Sequence, residues 1–294
     1  MNKTLLSILL TLLPYIAISQ YTDVINSNKP GESFSAFSVG INVLQIETGT
    51  TFLKEKHDLL NREFIGFGLD FSIRYGVFKE ELEFLTYGTY QNNIFYDYRY
   101  NPTQEISQNN FKEFKVAIKY LVYDPHKNYE DIPNVYSYRA NQKFKWRSLI
   151  PAVSVMAGIN IDTERNPFTS NGIKGVSPFL LISTQNNFKN NTVLITNLIL
   201  DRIGSTQTDF EYIVTLTKAL DINWVVFAET QGIKSDFYAD NLFSIGAAYL
   251  LNKDFQIDGS ISINNKNTPK VRRLNLGLSY RFDFHIDKAA EKWK

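Results

Sequence analysis

The 294-residue chain contains no cysteine, which excludes disulfide bonds and thiolate metal sites. It also lacks a charge imbalance, because 31 basic and 30 acidic residues leave a formal net charge of +1. This balance argues against a nucleic-acid groove or a strongly charged tail. Beyond its N-terminus, the chain has no apolar run that approaches the ~20 residues of a transmembrane helix. If the protein spans a membrane, it must therefore do so as a closed β-barrel, the other fold that pairs every backbone polar group.

The N-terminus carries the one long apolar stretch. A short basic start precedes an apolar run over residues 5–18 that ends in small side chains. This order is typical of a secretory signal peptide, here with cleavage expected between Ser19 and Gln20. A retained membrane anchor is the alternative, and it is disfavoured because a spanning helix needs about 20 apolar residues. We therefore expect residues 1–19 to be a signal peptide and residues 20–42 to be an N-terminal periplasmic segment.

What the chain does contain is a strict alternation of side-chain types. Between residues 273 and 285, apolar side chains take every second position, and charged, small or amide side chains take the others. The same period recurs over 65–75, 115–122, 243–251 and 255–264. A period of two predicts strands, and short polar stretches between the runs predict turns. Twelve strands are predicted, at 43–55, 63–76, 81–95, 111–123, 146–161, 174–187, 191–202, 207–218, 222–233, 238–251, 254–265 and 270–285.

The apolar face of these strands is expected to point outward. In a soluble sandwich or lipocalin-like barrel, the apolar face would point inward and the polar face would meet water. The polar faces here are rich in Gly, Ser, Ala and Asn, with few of the Lys and Glu residues of a solvated surface. Strand spacing is near the roughly 9–11 residues of a spanning strand, and aromatic residues gather at strand ends. The predicted fold is all-β, a transmembrane antiparallel up-and-down β-barrel of about 12 strands joined by hairpins.

The polar faces carry charges of both signs. An anion-selective pore would show Arg and Lys alone, and a cation-selective pore would show a carboxylate ring. The favoured interpretation is that opposite charges pair across a narrow interior and hold it shut, with a selective conducting pore as the alternative. The charged residues predicted to face the lumen are Glu47, Asp70, Arg74, Glu83, Lys115, Lys119, Asp201, Glu211, Glu229, Asp258, Arg273, Arg281 and Asp283.

The connections are unequal in length. If both barrel termini are periplasmic, the longest connection, over 124–147, lies on the periplasmic side. The C-terminal tail over 286–294 is a second periplasmic extension. The longest outer loops are expected at 96–110 and 162–173. The two periplasmic extensions are either solvent-exposed segments without a binding role or a docking surface for other envelope proteins. The candidate docking anchors are aromatic: Tyr129, Tyr136, Tyr138 and Trp293.

Sequence features of an enzyme are scarce. The three histidines, His57, His126 and His285, have no evident Ser or carboxylate partner at the same level of the predicted barrel. Glycine-rich phosphate loops and spaced metal ligands are also absent from the sequence. We therefore predict no catalytic residues, no metal and no cofactor, and a membrane-embedded hydrolase is the least favoured class.

Three stretches of the chain have a recognisable strand sequence: Ser177–Leu200, Tyr238–Asn264 and Leu274–Phe282. Together with Val43–Phe52 and Leu149–Ile161, they resemble the outer-membrane transporter family named after the meta-pathway of phenol degradation. The resemblance implies a small single-chain barrel, a transport role and a Bacteroidota-type envelope. No catalytic or ligand residues carry over from the family. The long connection described above departs from the brief turn expected there.

Two functions follow as hypotheses. The first is an integral outer-membrane barrel in contact with lipid that acts as a transporter-like channel for small solutes. The second is a non-conducting accessory barrel of a larger outer-membrane complex, which docks its partners through residues 124–147 and the tail.

Overall fold

The computed structural model of the chain describes residues 24–29, 31–127, 135–136, 146–169, 173–188, 191–205, 208–235 and 239–284. In this part of the chain, twelve strands form a closed antiparallel barrel in which neighbours in sequence pair and β1 closes on β12. The strands are β1 Val43–His57, β2 Arg62–Gly76, β3 Leu82–Asp97, β4 Gln104–Tyr123, β5 Ala152–Asp162, β6 Gly175–Phe188, β7 Thr192–Asp201, β8 Asp209–Ala219, β9 Trp224–Lys234, β10 Ala239–Asn252, β11 Phe255–Asn264 and β12 Lys270–Asp283. No helix among the described residues is long and apolar enough to cross a membrane.

The alternation seen in sequence becomes an apolar outside and a largely polar inside. On β12, Leu276 and Leu278 are exposed on the outer face, whereas Ser279 and Arg281 are buried in the interior. Side chains of successive strand residues point to opposite faces of the sheet. The alternation along each strand therefore determines both the outer surface and the inner surface of the barrel. Because a soluble barrel would bury the leucines, this orientation confirms the predicted transmembrane barrel.

Aromatic side chains mark one end of the barrel. We call the end where β1 begins and β12 ends the terminal end, and the other the distal end. At the terminal end, Trp224 packs against Tyr249 with ring centroids 4.9 Å apart, and Tyr280 packs against Phe282 at 4.6 Å. Aromatic rows of this kind sit at the boundary between hydrocarbon and water.

Two of the predicted boundaries were wrong. The predicted outer loop at 96–110 is mostly strand, because β4 begins at Gln104, which pairs with Asp97 of β3. The sequence of this extension is polar on both faces, so it shows no two-residue period to read. The predicted strand beginning at 146 starts instead at Ala152, directly after Pro151, and Trp146–Leu149 forms a short 3-10 helix. Proline lacks the N–H group that a strand interior requires.

Candidate functional site in the barrel lumen

The residues before β1 run inside the barrel. Residues 24–29 and 31–42, here called the lumen segment, are the described part of the predicted periplasmic segment 20–42. At the terminal end, Ile25 N donates to the carbonyl oxygen of Lys253 at 2.8 Å. Deeper in the lumen, the hydroxyl groups of Ser27 and Ser279 share a hydrogen bond of 2.7 Å. The chain then crosses to the opposite wall and returns to the start of β1, so it spans the lumen.

The exit of the lumen segment into β1 depends on two glycines. Gly40 adopts φ of 93°, a left-handed conformation that other residues rarely adopt. A Cβ atom at Gly76, at the end of β2, would overlap the carbonyl oxygen of Gly40. The missing side chain at Gly76 therefore lets the segment lie directly against the wall before the strand begins.

A cluster of four buried charged side chains holds the segment against β1 to β4. Glu83 accepts from Arg74 Nη2 at 3.1 Å and from Lys119 Nζ at 2.7 Å. Arg74 also lies 3.5 Å from Glu47. The same carboxylate of Glu83 accepts a hydrogen bond from Val39 N of the segment at 2.8 Å. The wall charges are thus paired with each other and with the segment, as charges removed from water must be.

The cations of this cluster bind carbonyl oxygens of the segment. Lys119 Nζ donates to the carbonyl oxygens of Ser35 and Phe37, each at 2.9 Å. Arg74 Nη1 donates to that of Asn26 at 2.9 Å. Charge-assisted hydrogen bonds are stronger than neutral ones, so these contacts contribute disproportionately to the position of the segment.

On the opposite wall, an amide and a carboxylate complete the contacts. Asn197 on β7 both accepts from Phe34 N, at 2.6 Å, and donates to its carbonyl oxygen, at 2.9 Å. Glu229 on β9 accepts from Glu32 N at 3.1 Å. A Cβ atom at Gly31 would lie 2.5 Å from Oε2 of Glu229, so a larger residue at this point would displace the carboxylate that accepts from Glu32 N.

The middle of the segment carries a lysine surrounded by acids. Gln256 Nε2 donates to the carbonyl oxygen of Lys29 at 3.0 Å. Burial lowers the pKa of the Lys29 ammonium, but carboxylates around it outweigh burial and raise this pKa above its usual value. These carboxylates are Glu32, Asp70, Glu47 and Asp258. Lys29 therefore adds a positive charge among the carboxylates of the lumen.

Part of the lumen wall is apolar, which the sequence had not predicted. The Phe34 ring of the segment packs on Tyr87 with centroids 5.0 Å apart, and Tyr87 packs edge-on against Phe179 at 6.2 Å. These rings belong to a buried cluster on β3 to β8. The cluster fills the lumen beside the segment and gives Phe34 an anchoring site. Its other members are Leu85, Ala117, Met156, Leu181, Ile199 and Ile213.

Beyond the segment, the distal half of the lumen is open. A cavity of about 670 Å³ lies there, with Glu32 of the segment among its lining residues. Its walls combine amides, such as Gln91 and Asn93, with charges, such as Arg273 and Lys112. A far smaller space of about 50 Å³ lies between the segment and β1 to β3. The wide part of the lumen therefore ends where the segment crosses it. We call the cavity the distal vestibule.

The remaining lumen charges predicted from sequence lie in separate groups. Lys115 pairs with Asp201 at 3.0 Å on the wall formed by β4 and β7. Asp70 accepts hydrogen bonds from the hydroxyls of Thr51 and Thr89, each at 2.7 Å. Arg281 pairs with Asp283 at 3.2 Å at the terminal end. Of the others, Glu211, Asp258 and Arg273 are half-buried.

One charged group was missed in the sequence. Arg202 lies beyond the end of β7, where its Nε atom is 3.1 Å from Asp162 and its Nη1 atom is 3.6 Å from Asp209. Asp162 is the last residue of β5, and Asp209 is the first residue of β8. Arg202 lies in a turn, with φ of 49°. Strand periodicity carries no signal at such positions, although the acidic residues flanking each turn are visible in sequence.

The other candidate residues are scattered. Tyr136 is 99% exposed, whereas Tyr129, Tyr138 and Trp293 lie outside the described residues. His57 is the last residue of β1, and its Nδ1 atom accepts from Leu60 N of the following turn at 3.3 Å. Among the described residues, no three His, Cys, Asp or Glu side chains are grouped so as to hold a metal ion.

A closed barrel with an apolar exterior and a charged, hydrogen-bonded interior defines the class of outer-membrane β-barrels. Residues 27–282 match the family described as "Putative MetA-pathway of phenol degradation", and the chain belongs to this family. The family resemblance noted in the strand sequences is thereby confirmed. No curated protein sequence matches the chain.

Solved structures are similar in fold. The COG4313 outer membrane channel from Pseudomonas putida F1 is 10% identical, with a TM-score of 0.55 over 86% of this chain and 100% of that one. The translocator domain of the autotransporter NalP from Neisseria meningitidis is 10% identical, with a TM-score of 0.48 over 83% of this chain and 89% of that one. The CymD monoaromatic hydrocarbon channel is 9% identical, with a TM-score of 0.42 over 84% of this chain and 90% of that one. At 10% identity, the similarity to the COG4313 channel concerns the fold alone.

Proposed function

We propose that the protein is an outer-membrane channel for small polar solutes, closed in the present conformation by its own lumen segment. The observation that carries this proposal is the distal vestibule of about 670 Å³, which stops at the segment while the barrel wall continues. A barrel that was only structural would not need a wide, polar-lined cavity on one side of a hydrogen-bonded obstruction. Displacing the segment would join the distal vestibule to the terminal end.

We propose no catalytic step for the chain. After removal of residues 1–19, the protein would lie in the outer membrane with its terminal end facing the periplasm. The selectivity we propose is weak, because the vestibule lining includes both Arg273 and Lys112 and both Glu55 and Asp70. Rings of a single charge sign, which produce strong ion selectivity, are not the pattern of this lining.

Single-channel recording in planar bilayers tests the proposal. We expect the wild-type barrel to be closed for most of the time and a variant with a displaced segment to conduct in discrete steps. Gly31→Glu is suitable, since it adds a bulky anion next to Glu229. Correct folding is verified by circular dichroism and by heat-modifiable migration on gels. A folded Gly31→Glu barrel that is electrically silent would refute the channel.

A second candidate function is the accessory barrel of a larger envelope complex. It is favoured by the connection between β4, which ends at Tyr123, and β5, which begins at Ala152. Within this connection Tyr136 is 99% exposed. Purification in mild detergent tests it: stoichiometric partners lost on replacing residues 128–145 by a short turn would support docking, and a solitary barrel would contradict it.

A further inference from the structure

The wall of the distal vestibule carries a row of apolar side chains. Phe64 of β2 pairs with Phe95 of β3, and their rings pack edge-on with centroids 4.5 Å apart. Ile106 of β4 pairs with Phe95 and is 40% exposed. These three residues and Leu53 of β1 line the vestibule, and we call them the apolar row. Apolar side chains that stay partly exposed in a cavity can bind the apolar part of a ligand.

Amide side chains lie next to the apolar row, on the side nearer the lumen segment. Asn93 of β3 pairs with Gln108 of β4, and Gln91 lies two residues before Asn93. Gln91 Nε2 donates to Asn93 Oδ1 at 2.8 Å. All three amides line the vestibule. Because an amide group both donates and accepts hydrogen bonds, this part of the wall can bind polar groups of a ligand whose apolar part contacts the row.

Three charged side chains of the vestibule wall are unpaired. In the described part of the chain, Arg273, Lys112 and Glu55 form neither an ion pair nor a side-chain hydrogen bond. Their neighbour Glu113, which also lines the vestibule, is instead paired with Lys115 at 3.0 Å. Charges without a protein partner in a cavity are available to a ligand of opposite charge.

The unpaired charges of opposite sign lie apart from each other. Glu55 pairs with Val271 and Leu53 pairs with Arg273, so Glu55 and Arg273 occupy diagonal positions on the inner face. Such positions are about 7–8 Å apart. The carboxylate-bearing residue Glu32 of the lumen segment lines the same space. A small molecule that carries both an ammonium group and a carboxylate can therefore contact both signs of charge at once.

We propose that the distal vestibule binds α-amino acids with bulky apolar side chains. The ligand carboxylate contacts Arg273 and Lys112, its ammonium group contacts Glu55, and its side chain packs on the apolar row. At about 670 Å³, the cavity has the size of a small-molecule site. This inference names a solute class for the proposed channel and rests on that function only for passage, because binding requires the vestibule alone.

Binding is measured by fluorine NMR titration of the full-length wild-type barrel in detergent, with para-fluorophenylalanine as the probe. The para-fluoro derivative of phenylpropionate lacks the ammonium group, and that of phenylethylamine lacks the carboxylate. We expect saturable binding of the amino acid and about tenfold weaker binding of each analogue, as loss of a hydrogen bond between charged groups produces. Alanine, which lacks the ring, should displace the probe only at concentrations about tenfold higher than unlabelled phenylalanine requires.

Arg273→Gln tests the carboxylate contact. We expect it to weaken binding of the amino acid about tenfold and to leave the phenylethylamine derivative within about twofold, because that ligand has no carboxylate to lose. The matched control is Lys174→Gln, which removes a cation of the distal end that pairs with Glu164 and is 65% exposed. Both ligands should bind this variant within about twofold of wild type.

Three outcomes would each overturn the inference: no saturable binding to the folded wild-type barrel, equal affinities of the amino acid and its two analogues, or an equal effect of Arg273→Gln on the amino acid and the amine. Conductance is recorded separately. Amino-acid binding by a barrel whose folded Gly31→Glu variant is silent would refute the channel alone. A conducting Gly31→Glu variant whose wild-type parent binds no amino acid would refute the amino-acid site alone.

Discussion

Removal of the Glu83 carboxylate is expected to open the barrel. Glu83 accepts from Lys119 at 2.7 Å, from Arg74 at 3.1 Å and from Val39 N at 2.8 Å. In Glu83→Ala, two cations remain buried in the closed state without their shared partner, whereas opening lets water reach them. Breaking a buried pair by removing one partner costs about 3–5 kcal/mol.

The lower end of this range applies, because Glu47 still lies 3.5 Å from Arg74. About 3 kcal/mol corresponds to a shift of roughly 100-fold in the ratio of closed to open molecules. The assay is the fraction of time that single channels are open in planar bilayers, at a fixed voltage and salt concentration. We expect long closed periods in wild type to give way to mainly open records in Glu83→Ala.

The matched control is Glu164→Ala. It breaks the ion pair between Glu164 and Lys174, whose side chains are 74% and 65% exposed at the distal end. Exposed pairs contribute at most about 1 kcal/mol, so we expect no change in opening. If folded Glu83→Ala opens no more often than Glu164→Ala, the charge cluster does not hold the segment in place.

Three further outcomes are expected. Gly31→Ala should raise the open fraction, because its Cβ would lie 2.5 Å from a Glu229 oxygen, whereas Gly68→Ala should not, because its nearest contact would be 3.5 Å away; equal open fractions in the two variants would exclude this steric reason. Ile261→Lys should lower folded yield, because a lysine on the lipid face of a barrel costs up to about 2–4 kcal/mol, depending on its depth, and the lumen-facing Ser262→Lys should cost less; refolding into lipid vesicles compares them, and the reverse order would mean that the faces are misassigned. In the open Gly31→Ala background, loss of a cation in Arg273→Gln should shift the reversal potential under a salt gradient toward cation selectivity; an unchanged potential would place Arg273 outside the conduction path.

The barrel itself was largely predictable from sequence. On β2 and β12, a two-residue period over most of the strand reveals both faces, and these strands begin and end within a few residues of the predicted bounds. The prediction was wrong where the period is absent. The start of β4 at Gln104 is polar on both faces, and residues 146–149 are separated from β5 by Pro151.

The location of the lumen segment was not predictable in this way. Its sequence has no strand or helix period, and nothing local indicates that it lies inside the barrel. Its binding partners come from strands far apart in the chain, such as Arg74, Asn197 and Glu229. Arg74 and Glu229 were predicted to face the lumen from the alternation of side chains alone. Their contacts with the lumen segment depend on closure of the barrel, which brings these distant strands around the same stretch of backbone.

A disulfide between the segment and the wall tests the position of the segment most directly. The chain contains no cysteine, so a Ser27→Cys, Ser279→Cys pair is the only thiol pair in the molecule. The wild-type hydroxyls are 2.7 Å apart, a separation compatible with a disulfide. Ser244→Cys with Ser262→Cys, whose hydroxyls are 2.8 Å apart on adjacent strands, is the positive control for oxidation within the lumen.

We expect the Ser27–Ser279 variant to cross-link rapidly in membranes and to stay closed until a reductant is added, after which openings return. If the control pair cross-links and the Ser27–Ser279 pair does not, residues 24–42 do not lie in the lumen, and the closed channel is excluded.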